Sequence, residues 1–296
     1  MTVRRALIIG LAAASAVFIA LQLADGWSRI SGSPLPGSLP IAGAVVLLGL
    51  GQLAIGEAMV ALGAGSGTPG DRRWAFHVTQ PAKYVPMGVA HAAGVVTALV
   101  SRGIPRLPAG VLWAVHTGSL VVVGVSLGLF GSSSFGWPTA IAFLGICVPV
   151  CLDRHVLTFV LAQAGRFADV LKRPTLVPPQ GQLTRCGVLA AAGVLLHGLA
   201  YALLVDASGI DDTPAAAVAA YCLALGVSIA TPLPGGLGAR EAILLALSSA
   251  PAGEALVPIV LVRLLLVGVE LVFWLVASSR RPGSSTDSAI TPTQRP

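Results

Sequence analysis

Charge is what this sequence has least of. Only 10% of its 296 residues are Asp, Glu, Lys or Arg, against about 25% in an ordinary soluble domain. From Leu107 to Leu152, from Gly187 to Val205 and from Thr213 to Ala239 there is none at all. Such gaps exclude a solvated surface over those stretches and match the roughly 20 apolar residues of a membrane-spanning helix. The apolar/polar alternation over about ten residues that a membrane β-barrel requires is also missing. So are HExxH, a Walker loop, G-x-S-x-G and any metal-spaced Cys or His cluster. With no polar segment long enough for a catalytic domain, the chain is expected not to be an enzyme and to hold no cofactor or metal.

What is present is apolar residue in bulk: 55% hydrophobic, with a mean hydropathy of +0.86. The expected fold class is an all-α polytopic membrane protein. Net charge is +6, but the cations lie between the apolar runs, a pattern of membrane topology and anionic headgroups rather than nucleic acid. Cys147, Cys151, Cys186 and Cys222 all fall in or beside apolar segments and read as small core residues.

Candidate spans are Ala6 to Ala24, Leu39 to Leu62, Val85 to Val100, Leu107 to Phe130, Thr139 to Leu152, Gly187 to Val205, Ala215 to Ala230 and Leu256 to Ala277. Ala242 to Ser249 adds a half-length helix. The expectation is a single domain, residues 1–281, of roughly eight segments, followed by a disordered Ser/Thr/Pro tail over 282–296. Arg4-Arg5 before the first span fits either a signal peptide or an uncleaved helix with a cytoplasmic N-terminus; the run is long for a signal, which favours the helix.

Asp153 to Arg185 carries five Arg or Lys against two Asp, so this basic loop over 153–185 should be cytoplasmic. Arg280-Arg281 puts the C-terminus on the same side. Full crossing at every segment would instead leave that loop outside, so at least one segment does not cross fully. The short Thr139 to Leu152 run and the elements around two Pro/Gly breaks are the candidates for re-entry.

The sharper break is Thr231-Pro-Leu-Pro234-Gly235-Gly236-Leu-Gly238-Ala-Arg240-Glu241. Proline removes donors and glycine permits positive φ, so backbone groups are freed and a helix can restart near Ala239. Its N-terminus would offer amides to an anion, unless the segment is a plain turn outside the membrane. A charge at the bilayer centre costs about 2.5–3.5 kcal/mol on insertion scales, so Arg240 and Glu241 should each find a partner. Arg263 and Glu270 share one face of the last span, about 10 Å apart along the axis. Glu241 could pair with Arg263 and Arg240 with Glu270, and interhelix pairing alone would account for all four.

The second break is Gln80-Pro-Ala-Lys83-Tyr84-Val-Pro86-Met-Gly88, where Lys83 and Tyr84 suit either a phosphate headgroup or ordinary interfacial anchoring. Paired breaks in the two halves are a pattern of repeat-based transporters. Three intramembrane histidines, His91, His116 and His197, fit hydrogen-bonded packing better than proton coupling. Glu57 must be paired, protonated or near the headgroups.

Lys83-Tyr84-Val-Pro86-Met-Gly88, Pro234-Gly-Gly-Leu-Gly238-Ala-Arg-Glu241 and Arg263 together resemble the flippase-like transmembrane domain of lysylphosphatidylglycerol synthases and its stand-alone relatives. The resemblance covers about residues 5 to 278; Met87 stands between Pro86 and Gly88, where the family usually has glycine directly after the proline. It implies a multi-pass protein of the cytoplasmic membrane that moves lipids between leaflets without synthesising them. On that reading the two breaks form a headgroup pocket in which Lys83, Arg240 and Arg263 attract a phosphate, and Glu241 and Glu270 set its charge or meet a cationic head. The expected partner is a membrane lipid with an anionic headgroup, a phospholipid or a polyprenyl or glycolipid. A homo-oligomer, or association with an enzyme of a lipid or glycan pathway, is also open. Two other readings stand: an ion-coupled secondary transporter of a small polar solute, and a non-transporting membrane subunit of such a pathway.

Overall fold

Backbone groups in an apolar stretch must satisfy one another, and the described residues do so by helix. A computed structural model describes residues 35–63, 67–84, 90–131, 152–158, 177–231, 234–236 and 238–279, with Leu21, Ala24, Trp27, Ser28 and Ile30. Among these there is no strand. The helices are α1 (Ser38–Ala61), α2 (Pro69–Val78), α3 (Ala90–Val100), α4 (Arg106–Gly131), α5 (Gln180–Ala207), α6 (Pro214–Ala230), α7 (Ala239–Leu247) and α8 (Ala252–Ser279). Two 3-10 turns, Gln80–Tyr84 and Pro234–Gly236, fall at the two breaks.

Four helices, α1, α4, α5 and α8, are long and apolar enough to cross a membrane. The shorter apolar helices α3 and α6 have 11 and 17 residues, or about 16 and 26 Å at 1.5 Å per residue, less than the roughly 30 Å hydrocarbon core. The expected span Val85 to Val100 is thus helical from Ala90, with residues 85–89 outside the described part. Most of Ala6 to Ala24, nearly all of Thr139 to Leu152 and the tail over 282–296 also lie outside it.

Local signals explain the boundaries. Thr213 accepts from the Ala216 amide at 3.2 Å to cap α6, with Pro214 at its first position. The helix ends at Thr231, which is extended (ψ 144°) because the following proline disfavours the α region. α2 is an element the sequence reading left unassigned. Thr68 and Asp71 form a reciprocal capping box there, with Pro69 at the first position.

The loop expected over 153–185 needs correcting at both described ends. α5 begins at Gln180, directly after Pro178-Pro179, because Leu183 and Cys186 are buried and draw the polar residues around them into helix. At the other end residues 154–158 are helical, with Asp153 Oδ1 accepting from the His155 and Val156 amides.

Lipid tails give helices no hydrophobic reason to associate, so close backbone approach must hold them together. α1 meets α5 at Gly51 and Gly193, where a Cβ on Gly193 would stand 2.9 Å from the Gly51 carbonyl oxygen. α4 meets α6 at Gly124 and Gly226, where a Cβ on Gly226 would stand 2.7 Å from the Val125 nitrogen. α8 packs on α1, α2, α5 and the first 3-10 turn. Pro258 lies buried within α8, and Ile30 packs beside it on Val257 and Val260.

Candidate functional site

The two breaks, some 150 residues apart in sequence, touch. Gly235 has φ 56° and Gly236 φ 68°, the left-handed region that strongly favours glycine. This turn brings Gly235 so near Tyr84 that a Cβ on it would lie 3.0 Å from the ring. On its other side, a Cβ on Gly236 would lie 2.5 Å from Ser228 of α6. No other residue type fits these positions without displacing the first break or α6.

Where the breaks meet, a cavity of about 180 Å³ opens inside the bundle. Roughly 10–15 Å³ suffices for one water, so the space takes many waters or a ligand. Its charged lining comprises Lys83, Arg240, Arg263 and Glu270, three cations to one anion. The rest is apolar or neutral polar, from α1 through α8.

Each expected site residue has a definite place, apart from Pro86 and Gly88, which lie outside the described residues. Glu270, 3% exposed, binds the first break to α8: Lys83 Nζ donates to Oε1 and Tyr84 Oη donates to Oε2 at 2.8 Å. Tyr84 is itself buried, so its ring turns into the protein. Glu241 pairs with Arg263 through Oε1, as the spacing allowed. Its Oε2 accepts from the Gly238 amide at 2.8 Å. The first amide at the restart of the helix is therefore occupied by the chain's own carboxylate, which corrects the expectation that this end is open to an anion.

Arg240 departs from the expected pairing. Lys83 and Tyr84 already hold Glu270, and Arg240 turns instead to α6, where Nη2 donates to Ser228 Oγ at 3.2 Å. Its guanidinium lies 5.8 Å from the centroid of the Tyr221 ring, a cation–π contact. Its Nε is buried without a hydrogen-bond partner among the described residues. Among those residues no carboxylate oxygen lies within 4.0 Å of Arg240, whereas Lys83 and Arg263 each have one.

The three histidines expected within apolar spans each meet a backbone carbonyl. His116 Nε2 lies 3.0 Å from Ile55 O, His197 Nε2 3.2 Å from Leu48 O, and His91 Nδ1 3.3 Å from Thr79 O. All three line the cavity. Glu57 takes the paired option, with Arg73 of α2; this hydrogen bond raises the Arg73 pKa. Glu57 does not line the cavity.

The sequence reading missed Gln52, Trp113, Thr117, Tyr221 and Ser228. Gln52 and Ser228 are buried, and isolated polar groups in apolar runs were the available signal. Trp113 and Tyr221 carry a polar tip on a large apolar ring; sequence alone does not say which way that tip points. Cys186 and Cys222 are buried free thiols, and Cys147 and Cys151 lie outside the described residues. Among the described residues no group of His, Cys, Asp or Glu is placed to hold a metal ion. Set against protein-family models, curated proteins and solved structures, the chain matches none of them.

Proposed function

We propose that this chain is a lipid translocator of flippase-like type, passing the headgroup of an anionic lipid through the cavity between the two breaks. The observation that carries the reading is Arg240: a cavity-lining guanidinium that has, among the described residues, a buried N–H without a partner and no carboxylate beside it, within a bundle that includes helices of membrane-spanning length. A cation without a counter-charge in such a setting is expensive, and an anionic headgroup would neutralise it. The motif resemblance to the flippase-like domain of lysylphosphatidylglycerol synthases points the same way.

In this proposal the protein sits in the cytoplasmic membrane as roughly eight segments, with both termini and the basic stretch around 153–179 inside. The segments flanking the two 3-10 turns re-enter rather than cross. The fluid hydrocarbon admits the acyl chains, while the phosphate moves along Arg240, Arg263 and Lys83. The protein modifies no lipid and needs no cofactor.

The test is leaflet exchange of fluorescent anionic and zwitterionic phospholipids in liposomes reconstituted with the purified protein. Exchange of the anionic lipid, reduced at least about tenfold in Arg240→Gln, supports the reading. No exchange of any native lipid would sink it.

One observation favours a second reading. Glu270 is a buried carboxylate on a spanning helix, the kind of group that couples solute transport to protons or sodium. Uptake of a soluble metabolite that collapses with the proton gradient and is lost in Glu270→Gln would select it.

A further inference from the structure

The described helices fall into two runs of the same order: α1, α2, the first break, α3, α4, and then α5, α6, the second break, α7, α8. In both, the second helix opens with a threonine N-cap and a proline behind it, Thr68-Pro69 and Thr213-Pro214. Packing between the runs is reciprocal. α8 rests on α1 and α2 as α4 rests on α5 and α6, and the two breaks touch. Gly51 and Gly193 stand at the same place in their helices, thirteen residues after Ser38 and Gln180. A Cβ on Gly193 would lie 2.9 Å from the Gly51 carbonyl oxygen, and one on Gly51 would lie 3.0 Å from that of Gly193. Such mutual contact is what a two-fold axis produces.

α1 and α5 run antiparallel. Gly43, eight residues before Gly51, faces Leu203, ten residues after Gly193. A two-fold axis relating antiparallel helices is perpendicular to both, and these two are long and apolar enough to span a membrane, so the axis lies in the membrane plane. The ends of the hairpins agree. Asp71 at the head of α2 pairs with Arg102 Nε at 3.8 Å, just past the end of α3, so α2 and α3 share an end of the bundle, where α1 finishes. Asp212, just ahead of α6, accepts from Ser248 Oγ at 3.3 Å and from the Ser249 amide at 3.2 Å, just past α7. That base lies where α5 finishes, at the opposite end. The first end carries Arg72, Arg73, Arg102, Arg106 and Arg185. The second carries Asp206, Asp211, Asp212 and Glu254 and, among the described residues, no Lys or Arg. The positive-inside rule makes the first end cytoplasmic.

Resting on the lipid reading above, we infer that the chain is built of two inverted copies of one unit, residues 38–131 and 180–279, each sending a hairpin inward from its own face of the membrane. The first hairpin enters from the cytoplasm and the second from outside, and they meet tip to tip at the cavity. Each stands between the cavity and its own side, so one site serves both leaflets: a headgroup admitted past one hairpin leaves past the other. Inverted repeats of this kind put a transporter's site at the repeat interface near the bilayer midplane.

Side-specific labelling tests this. Single cysteines at the exposed positions Gly70, Ser101, Asp211 and Gly253, in the full chain with its four native cysteines replaced by alanine, are treated with an impermeant maleimide in right-side-out and inside-out vesicles. Gly70→Cys and Ser101→Cys should label from the cytoplasmic side only, and Asp211→Cys and Gly253→Cys from the outside only. Either pair split between the two sides would mean that its hairpin crosses, and all four on one side would mean that the units are not inverted; both results overturn the inference. The second readout is Thr117→Cys, in the cavity lining, treated with a small impermeant thiosulfonate. Asp212→Ala, which unties the base of the second hairpin, should raise its reactivity several-fold from the outside alone, and Asp71→Ala from the cytoplasm alone. An equal rise from both sides, or none, would overturn the role of the hairpins as closures. The predicted sidedness in a protein that exchanges no lipid would support the inverted architecture and overturn the lipid reading.

Discussion

At the scale of single residues, the site depends on which cation holds which carboxylate. Glu270 serves Lys83 and Tyr84 at once, and removing one member of such a buried group costs more than removing the pair. Lys83→Met should lower stability by about 3 kcal/mol, since Lys83 is partly exposed and water relieves some of the penalty. The double variant Lys83→Met/Glu270→Gln should recover at least half of that, measured as a double-mutant cycle by thermal unfolding in detergent. The Glu241 pair behaves differently. Exchanging the charges, Glu241→Arg with Arg263→Glu, re-forms an ion pair but leaves the Gly238 amide without its acceptor. The exchange should therefore restore stability only partly, with a residual deficit of about 1 kcal/mol. Full recovery would show that the cap contributes nothing.

At the scale of elements, close helix approach and the breaks govern. Gly226→Leu places a side chain where the α4 backbone now lies 2.7 Å from a Cβ and should separate α4 from α6, by several kcal/mol of overpacking and lost contact. Gly110→Ala, with nothing near its Cβ, should leave the melting temperature unchanged or slightly raised, and comparison of the two melts checks both. Much at this scale was legible beforehand. The long apolar runs gave α1 and α4 to within a residue of their ends and α8 to within four, but began α5 seven residues late; the Pro-Gly-Gly run gave the second break together with the restart at Ala239. α2 was not legible from hydropathy because it is short and amphipathic. Its signature in the sequence is the Thr68-Pro-Gly-Asp71 capping run. Gln180 to Arg185 read as loop because polarity was given more weight than the two buried residues that Leu183 and Cys186 bring to the first turns of α5. Within the site, Glu241 with Arg263 could be anticipated from spacing. Arg240 with Ser228 could not, since a helix–helix hydrogen bond depends on rotation about both axes, which charge spacing does not encode.

At the scale of the whole molecule, burial separates an exposed apolar exterior from a core in which a few polar groups gather at the cavity. Leu50 is 49% exposed near the middle of α1, while Gln52, two residues on and on another face, is buried against the cavity. Leu50→Arg puts a charge into hydrocarbon at a cost of about 2.5–3.5 kcal/mol and should reduce the amount of protein recovered in carbonate-washed membranes several-fold. Leu50→Ala should not.

Glu241 also shows what the two breaks have in common. Its carboxylate ends on the Gly238 amide at the head of α7 and on Arg263 of α8. The first break is fastened to the same helix, through Lys83 and Tyr84 on Glu270. Helix α8 is therefore the mast of the site, and each break is stayed to it by one carboxylate.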